Sequence, residues 1–173
     1  GWMTLEVPRK QLEVALDEKV PVLASGLGNP SFVIKAAHER GMQVWGLVGR
    51  VRQAKRELEG GVDVLVATGY DAGGHTGKIG TFSIVPQIAS IAGDTPVLAA
   101  GGVTTGRHLA AALALGASGA WIGTLWLTSR ESDRDMIIKQ KLLAATADDT
   151  VFSDCISGFT MRTLNSTWHK EWA

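Results

Sequence analysis

Cysteine is all but absent: Cys155 is the single one in 173 residues. That excludes an intrachain disulfide framework and any cysteine-built zinc cluster, and it suits a reducing cytosol. No histidine stands near Cys155 in sequence, so it reads as an inert thiol rather than a nucleophile. An excess of one charge is absent too. Seventeen Lys and Arg are matched by seventeen Asp and Glu, the formal net charge is zero, and there is no run of like charge. Nucleic acid and anionic membrane surfaces are therefore not expected partners. No apolar run approaches the roughly 18 residues needed to span a bilayer, and the start, GWMTLEVPRK, lacks the basic-then-apolar order of a signal peptide. A cytoplasmic protein is expected. The spacings of a metal site, HxxxH or a paired histidine and carboxylate, are also missing, so no metal is expected.

What is present is the composition of a globular domain with a substantial core: 45% hydrophobic and 20% charged residues. Gly-Trp ahead of Met3 is an odd beginning for a gene product, and the expectation is a processed, tagged or incomplete chain.

Apolar runs and helical stripes alternate along it. Pro8 opens an amphipathic helix carrying Leu12, Ala15, Leu16 and Val20. The strand PVLASGLG follows, then Asn29 and Pro30 as cap and first turn of a helix with Val33, Ile34 and Ala37 on one face, closed by Gly41. His38, between charged neighbours, reads as a surface residue. The pattern repeats as the strand QVWGLVG, a helix with Val51, Ala54 and Leu58, and the strand VDVLVATG. After a long loop, a stripe of Ile84, Ile88, Ile91 and Ala92 ends at Gly93, and the strands TPVLAAGG and AWIGTLWL flank an alanine-rich helix. Five such βα repeats predict a parallel sheet covered by helices, with ligands bound beyond the strands' C-terminal ends.

Two of those ends carry glycine corners, Gly101 and Gly102 on one strand and Gly123 before Thr124 on the next. Backbone N–H groups there can approach an anion with no Cβ in the way, and a helix opening near Thr105 to Arg107 would aim its positive end at the same point. A phosphorylated ligand is the economical reading; the plain alternative is that these glycines only turn corners. Their pairing on adjacent strands favours the ligand, since (β/α)8 barrels commonly bind phosphate after their last two strands.

The strands start near 21, 43, 62, 96 and 120, and the longest interval holds the loop GYDAGGHTGKIGTF. Five glycines and few apolar residues suit a functional loop better than a mere connection. His75 is its one side chain suited to proton transfer near neutral pH, and Gly73, Gly74 and Gly77 would let ligand and backbone pack around it. Loop hydrogen bonds could equally account for this histidine. Tyr70 and Asp71 are candidate supporters. His108 reads as a helix-start residue and His169 as a tail residue. Beyond residue 128 the chain changes to a polar turn, the helix MIIKQKLLAAT and a mixed segment rich in Ser and Thr, so residues 1–128 and 129–173 are taken as separate parts. Trp168 and Trp172 imply packing against a further segment or subunit.

From about Val20 to Ser132 the residues resemble the FMN-dependent nitronate monooxygenases, formerly 2-nitropropane dioxygenases, and their relatives the flavin-containing enoyl-acyl-carrier-protein reductases. The resemblance rests on AGGHTG at 72–77, PVLAAGGVTTGRHLAAALALGA at 96–117 and IGT at 122–124, in the family's order and spacing. It implies a (β/α)8 TIM barrel in which the glycine corners hold the FMN phosphate and the histidine of GGH acts on the substrate's α-carbon proton. Carried over, the FMN contacts are Gly101, Gly102, Val103, Gly123 and Thr124, with Gly73 and Gly74 beside them, and the base is His75. Where the family continues GT with Arg-Phe, this chain has Leu125 and Trp126. The strands found here correspond to about the fourth to eighth of the barrel. Closure then calls for a missing N-terminal segment or for association with other chains, a homo-oligomer among them. The implied reaction is oxidation of a small nitronate or nitroalkane by dioxygen to a carbonyl compound and nitrite. Two alternatives stand beside it: an FMN- and NAD(P)H-dependent reductase of an activated C=C bond, and a non-catalytic half barrel that binds flavin or phosphate.

Overall fold

Strand and helix alternate through the first two thirds of the chain, as the apolar pattern predicts. The computed structural model describes residues 6–26 and 28–172. Its elements begin with α1 (Glu6–Asp17), β1 (Val22–Ser25), α2 (Ser31–His38), β2 (Gln43–Val48), α3 (Val51–Gly60) and β3 (Val64–Thr68). A two-residue strand, β4 (Gly74–His75), precedes α4 (Thr81–Ala89), β5 (Val97–Ala100), α5 (Gly106–Ala114) and β6 (Gly119–Trp121). The first strand is shorter than the run PVLASGLG, and Leu27 lies outside the described residues. So does Met3, with the reading of the chain's start.

β1, β2, β3, β5 and β6 form one parallel sheet in that order. Each strand lies beside the one that follows it, which is the winding of a barrel wall and not the reversed order of a doubly wound sheet. Ile34 and Ala37 of α2, Ala54 of α3, Ile84, Val85 and Ile88 of α4 and Ala112 of α5 pack on one face against Val44, Val48, Leu65, Ala67, Val97 and Ala99. On the opposite face Trp45 of β2 and Trp121 of β6 meet edge to face, 6.0 Å between ring centres. Two strands lie between them, each about 4.8 Å from its neighbour. Only a curled sheet brings those rings together, so this face is concave.

The run after Trp121 departs from the expected strand. Residues 124–128 form a turn of 3-10 helix, with the Trp126 N–H donating to the Gly123 carbonyl at 3.0 Å. A short apolar run does not distinguish strand from helix, and Gly123, at φ −112° and ψ −71°, takes the chain out of extended geometry before LWL begins.

The tail holds more order than its composition suggests. α6 (Met136–Ala144) is capped by Asp135, whose carboxylate accepts the Ile137 N–H at 2.8 Å. Then β7 (Thr150–Ser153) and β8 (Met161–Leu164) form an antiparallel pair that β4 extends, in the order β4-β8-β7, before α7 (Thr167–Trp172). His169, expected as a simple tail residue, is buried, its ring nitrogens 2.8 Å from the Ser166 hydroxyl and 3.1 Å from that of Thr163. Trp168 and Trp172 stack on each other, 5.2 Å between ring centres, and stay exposed. No helix among the described residues is long and apolar enough to cross a membrane.

Candidate functional site

β5 and β6 end side by side, and the glycines beyond them serve different physical ends. Gly101, at φ +113°, has no room for a Cβ, which would lie 2.6 Å from the Thr81 hydroxyl and 2.9 Å from the Ala72 nitrogen. Packing inside the protein explains it. Gly102, at φ +72°, is required by its left-handed backbone, while the space beside it is open apart from Asp71 Cβ at 3.6 Å. Gly123 has an ordinary negative φ and nothing within 4 Å of where a Cβ would stand. Neither conformation nor protein packing calls for glycine there; the open space in front of it suits a close-fitting ligand.

Val103 and Thr104 lead from this corner to α5, where the Thr105 hydroxyl accepts the His108 N–H at 3.3 Å. His108 is thus a helix-start residue, and its Nδ1 accepts the Thr104 N–H at 3.2 Å. The remaining free N–H groups of the first turn give a positive end. Gly101, Gly102, Val103, Gly123 and Thr124 line one cleft of about 640 Å³, together with Gly73, Gly74 and His75. All the positions expected to touch cofactor or substrate are therefore brought together. The donor set fits a phosphate: backbone N–H groups and a threonine hydroxyl, with space where side chains would otherwise stand.

The loop carrying His75 is closed at its base. The Tyr70 N–H donates to the Ile79 carbonyl at 2.8 Å, the Thr81 N–H to the Asp71 carboxylate at 2.7 Å, and Gly69 lies against the Thr81 backbone. Gly77 and Gly49 touch backbone to backbone, since a Cβ on Gly77 would stand 2.8 Å from the Gly49 carbonyl oxygen. Gly73 leans on Thr124, leaving 2.6 Å between its Cβ position and that hydroxyl. Such contacts need glycine, and they fix where His75 is presented.

His75 is exposed. Its Nε2 is 2.8 Å from the Ser157 hydroxyl, and its ring meets that of Phe159 edge-on at 6.4 Å. The supporters expected from sequence are not its partners: Asp71 holds the Thr81 amide, and Tyr70 faces Arg162. The actual partner, Ser157, is 82 residues further along the chain. It arrives because β8 pairs with β4, placing Met161 opposite His75 and Arg162 opposite Gly74. Arg162 and Thr150 also line the cleft. Sequence reading missed Ser157, Arg162 and Thr150, which lie in a tail with no motif to single them out. The described residues hold no cluster of His, Cys, Asp and Glu suited to a metal ion. Cys155 is a free, half-buried thiol.

Away from the cleft, His38 is largely exposed and its Nε2 lies 2.9 Å from the Asp63 carboxylate. Glu57 is the surprise of the core. It is only 4% exposed, its carboxylate fills the space a Gly46 side chain would take, and Oε2 has no hydrogen-bond partner. Burial pushes its pKa up to about 7.

Comparison with known proteins places the chain among its relatives. The nitronate monooxygenase family model matches residues 2–173. A protein of Mycobacterium tuberculosis, named only provisionally as a monooxygenase, is 44% identical over 162 residues, 93% of this chain and 43% of that protein. A Staphylococcus aureus protein, named provisionally as a nitronate monooxygenase, is 33% identical over 171 residues, 92% of this chain and 48% of its own length. Among solved structures, FabK from Thermotoga maritima superposes with a TM-score of 0.89 at 35% identity, covering 94% of this chain and 52% of that one. Nitroalkane oxidase from Streptomyces ansochromogenes gives 0.86 at 30%, covering 95% and 50%. The chain thus spans about half the length of the relatives it matches. With the match running along nearly all of its residues and the GGH loop and glycine corners meeting in one cleft, the chain belongs to the nitronate monooxygenase family, a family of flavin-dependent oxidoreductases.

Proposed function

We propose that this cleft holds FMN by its phosphate and serves the oxidation of nitronates or nitroalkanes by dioxygen to a carbonyl compound and nitrite. The observation that carries the reading is the convergence of Gly102, Gly123 and Thr124, with Thr104 just ahead of α5, on the cleft that also contains His75. The flavin, when bound, supplies the two-electron oxidation and the reaction with dioxygen. Everything else falls to the chain. Backbone N–H groups at Gly102, Val103 and Gly123 and the Thr124 hydroxyl would hold the phosphate. His75 would take the α-proton of a neutral nitroalkane. When Nε2–H donates to Ser157, whose hydroxyl donates in turn to the Phe159 carbonyl at 3.2 Å, Nδ1 carries the lone pair that accepts this proton. Ser157 is then a positioning residue that sets the tautomer.

We take the sheet as about the fourth to eighth strands of a TIM barrel. Residues 1–128 are its flavin-binding part, and 129–173 a tail whose hairpin builds the wall beside His75. The coverage of about half of each relative supports that reading.

A second reading keeps FMN but reduces an activated C=C bond with electrons from NAD(P)H; the likeness to FabK favours it. A third, a half barrel that binds flavin without turnover, is favoured by the length of the match. Anaerobic titration after FMN loading separates them. Bleaching of the flavin absorbance by nitronate alone supports the oxidase. Rapid bleaching by NAD(P)H supports the reductase, and FMN bound but bleached by neither supports the binding half barrel.

A further inference from the structure

Arg162 has a setting that the phosphate site leaves unexplained. It stands on β8 opposite Gly74, the residue before His75, and among the described residues no other Arg or Lys lines the cleft. Its guanidinium is held on several sides. Nε donates to the Tyr70 carbonyl at 3.0 Å and Nη1 to the Thr150 hydroxyl at 2.8 Å. The carbon of the fork lies 5.0 Å from the centre of the Tyr70 ring and 5.7 Å from that of Phe152. Those rings are themselves locked edge to face, 6.0 Å apart at 90°. Stacking and hydrogen bonds of this kind fix a guanidinium in one orientation, and these two bonds engage only part of its five N–H donors.

Among the described residues no carboxylate stands within ion-pair distance of the Arg162 guanidinium, and the carboxylate in the cleft, Asp71, is engaged with the Thr81 amide. A permanent cation, immobilised on a cleft wall and unpaired there, matches a planar anion with two oxygens on one edge. Arg162 stands opposite Gly74, the neighbour of His75, so this positive charge lies on the side of the cleft formed by the His75 loop.

We propose that Arg162 recognises the negatively charged, two-oxygen group of the substrate, so that the cleft selects the planar nitronate anion over the neutral nitroalkane. The proposal rests on the nitronate reading above, and deepens it by assigning the substrate's charge to a residue.

The test uses the complete, FMN-loaded protein with Arg162→Met and Arg162→Lys. In Arg162→Met the KM for propane-2-nitronate rises by about 10- to 100-fold, as expected when a charge-assisted, two-point contact is lost, while the KM for 2-nitropropane stays within about threefold. Arg162→Lys keeps the charge without the fork and falls between. Acetate, a stable anion of the same shape, perturbs the flavin absorbance of the wild type and not of Arg162→Met. An equal rise in KM for both substrates would overturn the proposal and leave Arg162 as a brace for Tyr70 and Thr150, as would an unchanged nitronate KM. If Arg162→Met fails to fold, Arg162→Lys decides on the same criterion. A wild-type protein that oxidises no nitronate, yet binds acetate through Arg162, would sink the oxidase reading and leave the anion site standing.

Discussion

At the scale of single residues, the two glycine corners and His75 make separable claims. Gly102 sits at φ +72° with open space toward the cleft. Gly102→Val places a β-branched side chain where only glycine is at ease and pushes its methyl groups toward the anion. FMN affinity should fall steeply while the folded chain survives, and flavin content per mole of purified protein measures it. Normal flavin content would remove Gly102 from the phosphate site. His75→Asn should keep its FMN, because the phosphate is held elsewhere, yet lose about 10²- to 10⁴-fold in turnover on a neutral nitroalkane, the worth of a positioned general base. Preformed nitronate has already given up its α-proton and should suffer much less. Steady-state rates on the two forms give the comparison, and equal losses with full flavin would count against the base role.

At the scale of elements, α3 lies on β2 through an unusual contact. Gly46 leaves a gap in the strand and the Glu57 carboxyl fills it, with one oxygen unpartnered. Charging that group inside the core is unfavourable, so its pKa stands at about 7 instead of the ordinary 4.5. The folded state therefore binds a proton that the unfolded chain has released. This contribution to stability is fully present below about pH 4.5 and is lost as pH rises through about 7. Glu57→Met, similar in volume and without charge, should flatten that slope and stabilise the protein at pH 8 by about 1–3 kcal/mol. Urea denaturation at pH 5 and pH 8 checks this; parallel pH dependence in the two proteins would show that Glu57 is solvated after all. The hairpin of β7 and β8 is the other decisive element. It brings Ser157 to His75 and Arg162 to the cleft, joining a loop in the middle of the chain to its last quarter.

At the scale of the whole molecule, β1 and β6 stand at the two edges of the parallel sheet. Near them Val22, Leu109, Leu113, Leu125 and Trp126 are exposed, and Met136, Ile137 and Leu143 of α6 are exposed as well. Open edges and apolar surface of this kind pair with whatever covers them. The 173-residue chain alone should therefore associate with itself. Sedimentation velocity across a range of protein concentrations is the measurement, with a rising weight-average mass expected and a monomer at all concentrations as the contrary result.

Local chemistry made much of this legible from the residues alone. Period-2 and period-3.6 apolar patterns report burial along a single element, so the βα alternation and the strand starts near 43 and 96 were readable. Glycine motifs report backbone demands, so AGGHTG and the corners at Gly102 and Gly123 could be singled out before their convergence was seen. Other features depend on residues far apart in the chain. No pattern around Ser157 or Arg162 announces β4 as a partner, because an antiparallel register is set by packing across 82 or more residues. LWL after Gly123 reads equally as strand or turn until the backbone angle is known. Glu57 looks like a solvent-facing helix residue until Gly46 is placed opposite it. The sheet's curl, closed by Trp45 meeting Trp121, likewise arises from strands that are not neighbours. Which side chains turn a glycine-rich cleft into a site with a held histidine and a fixed cation is thus a matter of long-range pairing, and a linear pattern carries no record of it.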